Sequence, residues 1–294
     1  MAGVKVRESS GYLVFKVVNT IIMLLVCAAT LYPFLYLVAQ SFSSEQAIIM
    51  GKVSLFPVDF NITTYKSVLE KGEFLRSYKN TIVYVIIGTF SAIVLSCCMA
   101  YPLSKSELKG SKFLMKFIIF TMYFGGGLIP TYVLMRRLNL VNTIRGFVMP
   151  SLLSTYYIIL MRSFFQGIPK DLEEAAEIDG LSPIGIFIKV VFPLSMPIIA
   201  TMILFNAVGY WNNWFNSFLY LDKKEMWPVA YYLRTIISGA TTSADPGEIS
   251  AEKMQIAANI RSCSMVLMAL PIICIYPFVQ KYYVQGMMLG GVKE

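Results

Sequence analysis

Charge and conformational signals concentrate in IPKDLEEAAEIDGLSPIGIFIKVVFPLSMP, residues 168–197. Pro169 suits a first helical turn, Asp171, Glu173 and Glu174 favour the positive N-terminal end of a helix dipole, and Gly180 can take the left-handed conformation that ends the helix. Ser182 and Pro183 then start a second helix as cap and first residue. Leu172, Ala175, Ala176 and Asp179 recur at i, i+3, i+4 and i+7, so they share one shallow face. A pair of alanines lets another protein approach the helix backbone closely, and Glu174 and Glu177 beside it would meet cations. Such a segment either docks a partner or lies solvated on a membrane surface, and residue types alone leave both open.

A second constellation, NAVGYWNNWFNSFLY at 206–220, carries amides and aromatic rings. Sugars are held by aromatic faces against their C–H surfaces and by amides that both donate and accept toward hydroxyls. Asn206, Tyr210 and Asn213 fall on one helical face, with Trp211 and Trp214 as an adjacent i, i+3 pair. That face either lines a wet pathway or forms an interfacial aromatic belt with Asn at the helix end. Tyr123, which heads the run Gly125 to Pro130, joins the pathway candidates. The three glycines and Pro130 should weaken or kink their helix, for a moving gate or for close helix packing.

The chain lacks other chemistry. There is no His, and Cys27, Cys97, Cys98, Cys263 and Cys274 all lie in apolar runs, so metal and Ser-His catalysis are not expected. No G-x-x-x-x-G-K-[ST] phosphate loop occurs, since Gly125-Gly126-Gly127 is followed by apolar residues. If ATP drives this protein, another subunit binds it.

The elements that position these residues are membrane helices. Of 294 residues 56% are hydrophobic and only 14% charged, too few to cover a water-exposed surface when about 25% is usual. A spanning helix needs roughly 20 apolar residues, and the segments at about 17–39, 81–103, 113–134, 146–165, 191–216 and 262–284 qualify. An all-α integral membrane protein of six transmembrane helices in a single domain over residues 1–294 is expected, with the first segment retained rather than cleaved. Longer polar segments lie near 40–80 and 220–260, and a loop at 166–190 carries the first constellation.

Lys and Arg are nearly balanced across the two sides, but Lys105, Lys109, Lys112 and Lys116 crowd one short turn. That density favours both termini and the 166–190 loop being cytoplasmic. The net charge of +8 is scattered through loops, which fits membrane lipid and no nucleic acid. Asp and Glu are absent from all six spans, while Arg162, Arg261 and Lys281 sit near ends. Ion-coupled carriers keep ionisable groups at membrane depth, so an external energy source is the better expectation. A self-contained secondary carrier whose loop binds a regulator is the alternative.

The 168–197 stretch resembles the signature loop of binding-protein-dependent ABC importer permeases, E-A-A, three residues, G, nine residues, I, one residue, L-P. Glu174-Ala175-Ala176, Gly180, Val190, Phe192 and Pro193 fall at those spacings, with Val for Ile and Phe for Leu. The ending QKYYVQGMMLGGVKE, 280–294, is similar to that of carbohydrate-type permeases, the group that includes the smaller maltose-importer permease. The run YFGGGLIPTYVLMRRLNLVNT, 123–143, looks like the subgroup for complex, uronate-containing or pectin-derived oligosaccharides.

The resemblance implies a type I ABC importer transmembrane fold whose cytoplasmic coupling helices sit in a cleft of the ATP-binding subunit. Glu174, Ala175, Ala176, Asp179, Gly180 and Pro193 would carry that contact, and Gly290 and Gly291 would enter the ATPase dimer interface. It also implies a second homologous permease, two ATP-binding subunits that hold ATP and Mg, and an extracellular solute-binding protein. No cofactor is then expected in this chain, which would not itself be an enzyme. It would import a carbohydrate, an oligosaccharide, across the cytoplasmic membrane.

Overall fold

The computed structural model describes residues 10–70, 72–242 and 259–277, and no strand occurs among them. In order the helices are α1 (Ser10–Ser41), α2 (Glu45–Ile49), α3 (Thr63–Glu70), α4 (Gly72–Ser104), α5 (Ser111–Tyr123), α6 (Leu128–Arg137), α7 (Ile144–Ser151), α8 (Thr155–Gln166), α9 (Lys170–Ile178), α10 (Pro183–Leu194), α11 (Met196–Trp211), α12 (Phe215–Tyr220), α13 (Val229–Thr242) and α14 (Asn259–Pro277). The backbone divides into two units, Met1–Glu70 with Ile236–Leu267 and Lys71–Thr235 with Met268–Glu294.

By length and apolarity α1, α4 and α14 can each cross a bilayer alone. The other three expected spans are bent pairs, α5 with α6 by 110°, α7 with α8 by 59° and α10 with α11 by 81°. Expectation and structure part at these bends. Between α5 and α6 the helix breaks at 124–127, where Gly127 has φ +81°, a conformation that only glycine adopts freely. Pro130 is not the kink: it lies in the first turn of α6, where its missing N–H has no helical partner to lose.

The break before α11 falls at Ser195, between Pro193 and Pro197. Residues 187–191 form a π-helical turn inside α10, so the expected start at 191 lies within an earlier helix. The expected end at 216 overshoots, since α11 stops at Trp211. Asn212 turns its side-chain amide back onto the Val208 carbonyl (3.1 Å), and the Asn213 side-chain Oδ1 accepts the Asn216 N–H in the next helix (3.0 Å). Asn side chains compete with helix propagation in this way. α4 starts at Gly72 rather than 81, and 278–284 lie outside the described residues.

In the first unit, residues 11–33 of α1 are exposed all round, which suits lipid or a partner chain rather than water. Packing begins at Ala39, which joins Ala47 and Val53 in a small core. The start of α14 is fastened there by polar groups: Asn259 Nδ2 donates to the Ser43 carbonyl (3.3 Å) and the Ser262 hydroxyl to Gln40 Oε1 (2.7 Å).

In the second unit α4 is the spine, with α8 and α11 along it. One core joins Ile93, Cys97 and Ala100 of α4, Ile158, Met161 and Phe165 of α8, Ala176 of α9, Val191 of α10 and Met202 of α11. Nearer the other end of α4, Tyr84 meets Phe147, Val148, Tyr210 and Leu221. Gly88 is needed there, because a Cβ would lie 2.6 Å from the Tyr210 ring.

Candidate coupling surface and pathway cleft

α9 and α10 form an elbow beside the Ser104 end of α4. Gly180 has φ +78°, its N–H donates to the Glu177 carbonyl (2.9 Å), and the Leu181 N–H reaches the Ala176 carbonyl (3.1 Å). This left-handed cap closes α9 where the sequence placed it. Ser182 then caps α10 by accepting the Gly185 N–H (3.2 Å), with Pro183 as first residue.

The expected docking face does not hold together. Ala176 is buried in this chain's own core, while Leu172, Ala175 and Asp179 are exposed. Residues 172 and 176 are successive turns of one face, but the side of α9 turned inward is that of Glu173, half-buried, and Ala176. The outward surface is instead Glu174, Ala175, Glu177 and Ile178, the last 87% exposed, continued by Ile184 at 72% on α10. Pro193 is also exposed, in the last turn of α10. Acids around bare isoleucines suit a partner with an apolar pocket and basic rim.

Two side chains of α9, Glu173 and Lys170, tie this elbow to the 101–107 turn, and Arg162 ties α8 to the same turn. Glu173 Oε2 accepts the Tyr101 hydroxyl (3.1 Å) and pairs with Lys105 Nζ. Arg162 Nε donates to the Leu103 carbonyl (2.7 Å), and Lys170 Nζ reaches Glu107 Oε1 (3.1 Å). The exposed Glu107 carboxyl is lowered from 4.5 to about 2, first by the Ser106 hydroxyl, then by its own backbone N–H and by Lys170. Because its folded value is depressed, that tie is fully present above 4.5 and is lost as pH falls through about 2.

Toward the other end of α11 a cleft of about 320 Å³ is lined by Ser151, Ser154, Tyr157, Phe205, Asn206, Tyr210 and Asn213 among others. It brings together three of the expected pathway residues. Asn206 Nδ2 donates to the Met202 carbonyl (2.8 Å) and Asn213 Nδ2 to Ser151 Oγ (3.2 Å). The buried Tyr210 hydroxyl donates to the Val148 carbonyl (3.1 Å). Tyr210→Phe will remove that hydrogen bond and lower stability by about 1 kcal/mol, read as a lower melting temperature of the purified protein in detergent.

The tryptophans are not part of this cleft. Trp211 is buried, gives its indole N–H to the Met268 carbonyl (3.2 Å) and stands edge-on to Tyr78. It faces a second, apolar cavity of about 800 Å³ between α4, α11 and α14. Trp214 lies beyond the helix end, with the Arg234 guanidinium 3.6 Å over its ring. The i, i+3 pairing therefore fails, because the helix stops between the two residues. Tyr123 is 72% exposed at the end of α5 and lines neither cavity. Gly290 and Gly291 lie outside the described residues.

Residues 7–215 match the family whose description is binding-protein-dependent transport system inner membrane component. The chain belongs to that family. Protein LplC of Bacillus subtilis (strain 168) is 38% identical over 280 residues, 95% of each chain. The polygalacturonan/rhamnogalacturonan transport system permease protein YtcP of the same organism is 36% identical, over 89% of this chain and 92% of its own. A crystal structure of a bacterial ABC transporter involved in the import of the acidic polysaccharide alginate matches with a TM-score of 0.83 and 32% identity, covering 95% of this chain and all of that one. The fold is thus that of a type I ABC importer permease.

Sequence reasoning about this inner membrane component missed Glu173, Tyr101 and Lys105. Glu173 was read only as a helix-dipole acid. A signal existed: it lies three residues before Ala176, so a helix that buries one presents the other toward the same side. What no spacing could supply is which face is buried, since that depends on α4 and α8.

Proposed function

We propose that this permease is one of two homologous membrane subunits of an ATP-driven importer that moves an oligosaccharide inward across the cytoplasmic membrane by alternating access. The observation that carries it is the α9–α10 elbow: a capped, acid-flanked surface with Ile178 and Ile184 outward, in a chain with no phosphate loop of its own. In this reading the elbow and both termini are cytoplasmic. Two ATP-binding subunits hold ATP and Mg, and their basic rim meets Glu174 and Glu177. The tail with Gly290 and Gly291 enters the crevice between them. ATP binding closes the ATPase pair, and the movement passes through Glu174 to Gly180 to swing the bundle outward-facing; hydrolysis resets it. For coupling, ATP and the loaded solute-binding protein must favour the same state.

An oligosaccharide cargo is supported by the names of the relatives and by the cleft. Its hydroxyls, amides and aromatic rings suit sugar faces, and its size is at the small end of the roughly 300–1,000 Å³ usual for ligand clefts. Asn206, Tyr210 and Asn213 would form this subunit's share of the pathway.

The test is accumulation of labelled oligogalacturonides and neutral arabino-oligosaccharides by cells carrying the complete transporter. Uptake of one class should vanish when the phosphate-loop Lys of the ATPase subunit is replaced and should survive a protonophore. Uptake that survives loss of the ATPase and collapses with the protonophore would identify an ion-coupled carrier instead.

A further inference from the structure

Glu173 precedes the acid that opens the family pattern, yet it faces inward. Its side chain is 15% exposed, receives the Tyr101 hydroxyl and pairs with Lys105. The Lys105 ammonium also lies 4.5 Å from the centre of the Tyr101 ring, so the three groups close on one another. Aromatic rings wall the cluster: Phe187 of α10 is 4.8 Å from Tyr101, and Phe165 of α8 stands edge-on to it at 6.2 Å. Below, Ala176 rests on a core shared with Cys97 and Ala100. The same core also holds Phe165, Ile186 and Val191, apolar contacts without direction, whereas an ion pair held also by a hydroxyl has one register. Parting it would leave two poorly hydrated charges.

We propose that Glu173 is the positioning residue that locks α9 to α4, so that force on the outer face of α9 moves α4 rather than rocking α9 on its seat. This rests on the reading that α9 receives the ATPase stroke. The neighbouring ties cannot replace the lock. Lys170 and Glu107 are 67% and 70% exposed, where ion pairs are weak and screened, and Arg162 joins α8, not α9, to α4. From α4 the movement reaches the cleft directly, because Gly88 lies against the Tyr210 ring.

The experiment places spin labels at D171C and F90C, exposed positions on α9 and α4, with Cys27, Cys98 and Cys274 changed to Ser. The complete transporter, with its ATPase subunits, is reconstituted in nanodiscs. In the native background the distance between labels should be the same without nucleotide and trapped with ATP and vanadate. In E173A and K105A it should broaden and shift on trapping by about 5 Å, one helical turn, with ATP hydrolysis retained within about twofold. The exchanged pair K105E with E173K should restore the native distance. A native distance that changes on trapping would overturn the lock, as would E173A and K105A distances that stay native in both states while only the yield of complex falls. Failure of the ATPase subunits to assemble with the native chain would overturn the coupling reading itself, a result visible before any label is measured.

Discussion

Glu174→Lys will abolish ATP-driven uptake while the permease still reaches the membrane in near-native amount. Glu174 is exposed on α9, and among the described residues its side chain makes no hydrogen bond or ion pair. Folding therefore gains little from it beyond a weak helix-dipole effect, and surface substitutions of this kind stay within about 0.5 kcal/mol. An interface that pairs this acid with a cation would instead meet a like charge, where a lost close pair alone costs about 2–5 kcal/mol. The contrast with Glu173 is diagnostic: Glu174→Lys should lose ATPase docking, whereas Glu173→Ala should keep docking and hydrolysis. Membrane immunoblots, copurification of the ATPase and accumulation of labelled oligosaccharide read the three quantities. Normal accumulation by the Glu174→Lys transporter would remove the elbow from the mechanism.

Gly146→Ala will destabilise the protein more than any single substitution in the cleft. A Cβ at Gly146 would lie 2.1 Å from the Leu140 carbonyl oxygen, and that oxygen is already engaged by the Thr143 hydroxyl (2.6 Å). The Gly146 N–H in turn donates to Thr143 Oγ1 (3.0 Å). The turn cannot open outward easily, because Asn142, at φ +59°, donates its N–H to the Tyr220 carbonyl (2.7 Å) and accepts the Asp222 N–H on Oδ1 (2.7 Å). A backbone neighbour cannot rotate away as a side chain can, so the penalty should reach about 3 kcal/mol, the upper end for overpacking. Since Val148 and Ser151 follow on α7, the damage reaches the partners of Tyr210 and Asn213. Thermal unfolding in detergent should show a lower midpoint for Gly146→Ala. Gly209→Ala is the control: Gly209 itself lines the cleft, and a Cβ there meets nothing within 4 Å, so its midpoint should be unchanged or higher. Equal losses for both would refute the steric account.

The elbow was legible because its signals are local. A left-handed glycine, a Ser-Pro start and acids in a first turn act within a few residues, and Gly180 and Ser182 adopt the conformations those types favour. The bends were only half legible. Gly127 breaks its helix as glycine allows, but Pro130 lies harmlessly in a first turn, and the Asn212-Asn213 stop cut the expected fifth span short at Trp211. Proline and Asn act according to their position in a helix, and that position depends on where the helix begins.

Composition and pattern by themselves determined that this chain lives in a membrane, that it has no nucleotide loop, and that 168–197 is a two-helix elbow, because each follows from transfer energies or from contacts within one or two turns. Only the tertiary structure decided that Ala176 and Glu173 turn inward while Glu174 and Ile178 face out, and that Asn206, Tyr210 and Asn213 share a cleft from which Trp211 and Trp214 are excluded. The reason is geometric: a helix has one period but many rotations about its axis, and the rotation is chosen by the residues of α4, α8 and α14 it packs against, which lie far away in the chain.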